Sequence, residues 1–141
     1  MNTDPDRMNH QPPYHLVMVV CDQIVMDPST KKRTLFGIFD EIGATAVPAI
    51  HPRMSVYVTL TDGRGSTPFT FRLVDVDEER EPIFEVEDSV EFRDPLQIRH
   101  LEFHFQNVTF PAFGEYRFQL IFDGDMIERR IIVRDIGETR Q

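Results

Sequence analysis

Short runs in which apolar and polar residues alternate fill most of this chain, and turn residues interrupt these runs every eight to fifteen positions. The clearest run is 54–61, where Met54, Val56 and Val58 alternate with more polar neighbours. A period of two residues is typical of strands with one buried face, and no segment longer than ten residues has the period of an amphipathic helix. The pattern therefore predicts an all-β fold, a two-sheet antiparallel sandwich of about eight strands, immunoglobulin-like or a related Greek key.

The 141 residues suit a single domain. Residues 1–13 are polar and contain three prolines, which predicts a disordered tail. We expect one β-sandwich domain over residues 14–135 and a short flexible tail over 136–141. Its first hairpin is predicted from a strand ending at Met26, a polar turn over 27–33 and a return strand from Thr34 to about Ile42.

Cellular location is constrained by two features. No apolar run approaches the roughly 18 residues that a membrane span needs, and the polar start lacks the pattern of a secretory signal. The single cysteine, Cys21, cannot form an internal disulfide. We therefore expect a cytoplasmic protein that does not associate with membranes.

Negative charge is concentrated in one segment of this acidic chain, whose net charge is −9. The segment from Asp75 to Asp94 contains ten acidic residues and only two arginines, which gives it a net charge of −8. Such a segment repels phosphate groups, so we expect neither nucleic acid nor anionic lipid as a partner.

Within the acidic segment the alternation places Glu85, Glu87 and Glu91 on one face and apolar residues on the other, unless a bulge near Asp88 shifts the phase. Three interpretations remain open. The charges protect an exposed edge strand from pairing with other chains, or they form a face for a basic protein partner. In the third, calcium binds to oxygen ligands from one turn, namely Asp75, Asp77, Glu78 and Glu79.

The other candidate sites are weaker candidates for metal binding or catalysis. His100, Glu102 and His104 share one face of a predicted strand, but the Cα atoms of the two histidines are about 13 Å apart, too far for both rings to ligate one zinc easily. Cys21 follows an apolar run and precedes Asp22, which predicts a buried, unreactive thiol. No serine lies in a nucleophile motif, and no phosphate-binding loop is present. We expect no catalytic, metal-binding or cofactor-binding residues.

Two short segments indicate particular turns. In Phe113-Gly114-Glu115-Tyr116 the tyrosine enters a late strand, where it is either a tyrosine corner, with its hydroxyl bonded to upstream backbone, or simply the first core-facing ring of that strand. Asp123-Gly124 predicts a two-residue hairpin of type I′.

Several runs resemble a family of small bacterial proteins that share one domain of unknown function, over roughly residues 16–133. The runs are Val20-Cys21-Asp22-Gln23-Ile24-Val25, Leu35-Phe36-Gly37-Ile38-Phe39-Asp40, His51-Pro52-Arg53-Met54-Ser55-Val56-Tyr57-Val58 and Phe110-Pro111-Ala112-Phe113-Gly114-Glu115-Tyr116. The resemblance implies a stand-alone β-sandwich domain of bacterial origin. It brings no catalytic residues to this chain.

These observations favour a non-enzymatic binding or protein-interaction module of unknown specificity. Its partner would be a basic protein bound by Glu85, Glu87 and Glu91, or a second copy through self-association. The alternative is a small hydrolase or lyase, with a site assembled across strands from His51, His100, His104 and carboxylates. A cleft with converging groups would favour the enzyme, and an open edge or an exposed apolar patch would favour the binding module.

Overall fold

A computed structural model describes residues 10–77 and 80–137 of the chain. Over these residues the fold is all-β, which confirms the predicted class, and they include no helix that could cross a membrane. Its nine strands are β1 (Tyr14–Met26), β2 (Arg33–Ile38), β3 (Glu41–Ala44), β4 (Ala49–Thr61), β5 (Gly65–Asp75), β6 (Phe84–Phe92), β7 (Arg99–Phe110), β8 (Gly114–Phe122) and β9 (Asp125–Asp135).

The strands form two sheets. One has four strands in the order β2-β1-β4-β7, and the other has five in the order β3-β9-β8-β5-β6. All neighbours are antiparallel except β3, which runs parallel to β9, so the prediction of a purely antiparallel arrangement is wrong at that edge. The predicted return strand from Thr34 to about Ile42 is in fact two strands, β2 and β3, which belong to different sheets.

Gly37 lies within β2 opposite Asp22, and the strand continues past it to Ile38. Its φ of +68° is a left-handed conformation that glycine adopts without steric cost, and a Cβ there would lie 2.5 Å from Oδ2 of Asp22. The chain then leaves the four-stranded sheet. At the crossing the carbonyl of Asp40 accepts a hydrogen bond from the backbone N–H of Ile132 at 3.1 Å, and β3 continues along β9.

Both sheets contribute to one hydrophobic core. The alternating side chains of β4 that were predicted to point inward are buried, as are the inward residues of β5 and β8. The rings of Phe71 on β5 and Phe103 on β7 stack across the two sheets with centroids 4.0 Å apart. Burying an apolar side chain of this size stabilises the fold by about 1.5–3 kcal/mol, so this ring cluster is a main contributor to stability.

The turn between β7 and β8 is a tyrosine corner. The Tyr116 hydroxyl donates to the carbonyl of Ala112 at 2.7 Å and accepts from the N–H of the same residue at 3.1 Å. The ring is also buried, with 2% of its surface exposed. The predicted hairpin turn is confirmed too, because Asp123 and Gly124 both have positive φ, as a type I′ turn requires.

A proline, Pro52, lies inside β4. Pro52 is tolerated there because β1 pairs with β4 only from Ser55 onward, so the strand has a free side at the proline. On the other side the register passes from His51↔Val108 to Arg53↔Gln106. Asn107, opposite the proline, has a φ of +53°, which marks a local irregularity in β7.

The predicted tails lie mostly outside the described residues, namely 1–9 and 138–141. The described part of each is held by backbone hydrogen bonds. Gln11 forms a bridge to Arg64 with two bonds of 3.0 Å, and the N–H of Ile136 donates to Ala44 at 2.9 Å.

Candidate functional site

The three glutamates predicted as a partner face, Glu85, Glu87 and Glu91, are exposed on β6. They share the outward face of that strand, and β6 is an edge of the five-stranded sheet, as their charge pattern predicted. Glu85 lies 4.0 Å from the Arg72 guanidinium. Glu87 and Glu91 have no ion pair within the part of the chain that the structure describes, so the strand presents uncompensated negative charge to solvent.

Asp88 interrupts the apolar inner face of β6. No bulge shifts the phase near Asp88 and Ser89, because β6 keeps one register with β5 along its whole length. Asp88 therefore lies opposite Phe69, in the inward phase of the strand, yet its side chain is exposed. The Phe69 ring lies edge-on to Phe103 of β7, with centroids 6.0 Å apart. Asp88 itself borders a shallow depression together with Glu87 and Ile121.

The described residues show no arrangement of oxygen ligands that supports the calcium interpretation. Of its four proposed ligands, Glu78 and Glu79 lie outside the described residues. Asp75 accepts a hydrogen bond from Arg80 at 3.1 Å. Among residues 10–77 and 80–137 no group of three or more histidine, cysteine or carboxylate side chains is arranged to hold a metal ion.

A chain of hydrogen bonds links β4 to the predicted His100–His104 run on β7. His104 contacts Ser55 Oγ through Nδ1 and Glu102 Oε1 through Nε2, both at 3.0 Å. The Arg33 guanidinium, from the opposite edge strand β2, donates to Glu102 Oε2 at 2.5 Å. The contacts of Ser55 and Arg33 could not be predicted from the sequence, because they depend on strand register and on the curl of the sheet.

The hydrogen-bonded residues Ser55, His104 and Glu102 are of the types found in a hydrolytic triad, but the serine is not accessible to a substrate. Ser55 is only 2% exposed, so a substrate carbonyl has no open path to its hydroxyl. Glu102 is occupied by its ion pair with Arg33. The side chain of His104 is 53% exposed and is the one member that solvent reaches freely. The arrangement therefore fixes side chains in place rather than presenting a nucleophile.

Two side chains in or beside this network of hydrogen bonds, Glu102 and His100, have shifted pKa values. Partial burial would raise the pKa of Glu102, but hydrogen bonds from Arg33 and His104 outweigh burial and hold it below its usual value. Burial, followed by the charge of Arg33, lowers the pKa of His100, whose Nδ1 lies 2.5 Å from the hydroxyl of Tyr57. At neutral pH the cluster thus keeps an ionised glutamate and favours neutral His100.

Two further candidates do not join the cluster. His51, named for the alternative enzyme site, instead bonds to Asp22 at 3.0 Å and packs against the Phe39 ring, with centroids 5.0 Å apart. Cys21 is fully buried, and burial raises its pKa, with a further contribution from Asp22. A buried thiol with a raised pKa is a poor nucleophile, in agreement with the prediction.

An apolar concavity that was not predicted lies beside the outer edge of β7. It is a groove of about 590 Å³. Its floor includes Phe84 of β6 and Phe105 of β7, which stack with centroids 3.8 Å apart. Polar groups of β7, from His104 to Thr109, line its rim, and its remaining apolar walls are Pro48, Ile83, Val108 and Pro111. We call this feature the β7 groove.

A second depression, of about 620 Å³, lies at β9 and is lined by charges of both signs, including Glu115, Arg117, Glu128 and Arg130. Arg117 pairs with Glu115 at 2.9 Å and with Glu128 at 3.7 Å. The lining carries four carboxylates and three guanidinium groups, so its charges nearly balance.

Comparison with known proteins places the chain in a family without identifying a relative of known activity. The chain matches none of the curated proteins compared with it. The model of a family of unknown function, DUF6941, matches residues 16–133, which is nearly all of the nine-strand fold. The chain therefore belongs to the DUF6941 family of unknown function.

Proposed function

We propose that this chain is a non-enzymatic protein-interaction module with an immunoglobulin-like sandwich fold, and that it binds a basic partner. The β7 groove is the observation that carries the proposal. An apolar concavity of this volume with polar groups at its rim is the usual form of a binding site. The strongest His/carboxylate cluster, by contrast, leaves its serine buried.

Strand order supports the fold part of the proposal. The neighbours β1-β4-β7 correspond to strands A-B-E of the immunoglobulin arrangement, and β9-β8-β5-β6 correspond to G-F-C-C′. In that arrangement a tyrosine corner precedes strand F, and Tyr116 stands at the start of β8, which takes that place.

Charge supports the partner part. The exposed carboxylates of β6, Glu85, Glu87 and Glu91, attract a basic surface and repel nucleic acid. With a single buried cysteine and no disulfide, the protein is suited to a reducing compartment, which we propose is the bacterial cytoplasm.

Selection from a random peptide library tests the function. Peptides should be enriched on the wild-type protein and lost on Ile83→Glu, which places a charge in the β7 groove. Leu96→Glu is the matched control, because Leu96 is 90% exposed and does not line the groove. Failure to enrich any peptide, or equal enrichment on both variants, would contradict the proposal.

The second candidate, a small hydrolase, is favoured by the Ser55–His104–Glu102 hydrogen bonds. It predicts hydrolysis of an activated ester that disappears in both Ser55→Ala and His104→Ala while the fold is retained. The interaction module predicts that the purified protein hydrolyses such an ester no faster than either variant.

A further inference from the structure

The outer edge of β7 is a long strand edge without a neighbour. Its 12 residues pair with β4 on one side, and on the other side no strand of residues 10–77 or 80–137 pairs with it. Unpaired N–H and C=O groups along such an edge are a template for another strand. In the immunoglobulin arrangement of the proposed function, strand D would occupy this position next to strand E.

The β7 groove lies directly alongside this edge, between the two sheets. A strand added beside β7 would place alternate side chains on its two faces, so that one set points into the groove. The stacked rings of Phe84 and Phe105 offer that set an apolar floor. At the other end the Arg99 guanidinium donates to the backbone carbonyl of Glu91 at 2.7 Å and ties the two sheet edges together. The opening therefore lies toward Gln106.

The charge of β6, whose Phe84 forms part of the groove floor, indicates what kind of strand fits. Its exposed carboxylates are Asp88, in the inward phase of the strand, and Glu85, Glu87 and Glu91 on the outward face. Facing sheets lie about 10 Å apart, which is about one screening length at 0.1 M salt, so these carboxylates act on a bound strand. A basic segment is attracted, and an acidic one is repelled.

We propose that an extended segment of a partner protein, with alternating apolar and basic residues, adds to the free edge of β7 as a fifth strand of the four-stranded sheet. Its apolar side chains occupy the β7 groove, and its basic side chains pair with Asp88 and the neighbouring glutamates. Main-chain hydrogen bonds to β7 supply affinity, and the groove and the carboxylates supply specificity. The inference rests on the proposed interaction function and specifies the partner.

A fluorescent nonapeptide of alternating lysine and valine is the direct probe, and the matched peptide with glutamate in place of lysine is its control. We expect the lysine peptide to bind at least about tenfold more tightly than the glutamate peptide in an anisotropy titration. A lysine peptide with N-methylated backbone on the edge that would pair should lose binding, because it cannot form the ladder of hydrogen bonds.

Variants of the protein locate the bound peptide. Asp88→Lys should weaken the lysine peptide about tenfold, equivalent to about 1.4 kcal/mol. Asp40→Lys is the control, because it makes the same change in net charge at an exposed residue between β2 and β3, remote from β7. Both positions are exposed, so neither substitution is expected to affect folding.

Hydrogen exchange of the β7 amides tests strand addition separately from the broader interaction function. The bound lysine peptide should slow the exchange of alternate amides between His100 and Gln106. If the peptide binds without this protection, or binds Asp88→Lys and Asp40→Lys equally, strand addition is wrong although an interaction function stands. If none of the designed peptides binds while library peptides do, the assigned partner chemistry is wrong. Failure of both sets refutes the interaction module itself.

Discussion

Replacing Tyr116 by phenylalanine should destabilise the protein by about 2–3 kcal/mol. The substitution keeps the buried ring but removes a hydroxyl that both donates to and accepts from the backbone of Ala112, at 2.7 and 3.1 Å. Each hydrogen bond contributes about 0.5–1.5 kcal/mol net, and backbone groups left without partners add to the loss. The corner also sets the turn from one sheet to the other, so the effect should not be smaller than this sum.

Urea unfolding followed by circular dichroism measures the effect. With a slope of about 1–3 kcal/mol per molar urea, the midpoint should fall by about 0.7–3 M without a change in slope. Tyr57→Phe is the matched control, because its hydroxyl bonds to the exposed side of His100 rather than to backbone, and it should cost less than about 1 kcal/mol. A loss below about 1 kcal/mol in Tyr116→Phe, or equal losses in both variants, would refute the assigned role of the corner.

Three further outcomes are expected. Since the pKa of Glu102 is lowered on folding from a usual value of 4.5, its stabilisation is complete at higher pH and is lost as pH falls through the folded value. Glu102→Gln should therefore flatten the acid decline in urea midpoint. Native Cys21 should react with a thiol reagent far more slowly than in denaturant, because it is fully buried; equal rates would contradict this. If the acidic edge only prevents pairing between copies, changing Glu85, Glu87 and Glu91 to glutamine should promote dimers in sedimentation and leave peptide binding unchanged. If it recruits a basic partner, the same variant should bind the lysine peptide more weakly and lose part of its salt dependence.

The local alternation of apolar and polar residues was sufficient to predict the fold class, because the fold class depends on which residues face inward. The alternation from Met54 to Leu60 identified buried positions correctly, and Asp123-Gly124 identified its turn. Strand order was not predictable in the same way. Nothing in the residues near Gly37 indicates that the chain changes sheets there, because that depends on which distant strand offers a free edge, here β9.

For the candidate site too, local alternation predicted some features, and features that depend on strand order and register were missed. The outward direction of Glu85 and its neighbours follows from alternation alone, and the structure places them as expected. The β7 groove was missed because Phe84 and Phe105 fit the pattern of core residues equally well. Their partial exposure arises only because β6 and β7 are both edge strands on one side of the molecule. The contact between Ser55 and His104 likewise depends on the register of two strands that are far apart in sequence.

The most direct test of the account is a crystal structure of the protein with a library-selected peptide bound. We expect an extended peptide paired with the outer edge of β7, with an apolar side chain over the Phe84 and Phe105 rings and a basic side chain at Asp88. A peptide seated instead on the charged depression at β9, or beside His104 and Ser55 with β7 unpaired, would contradict it.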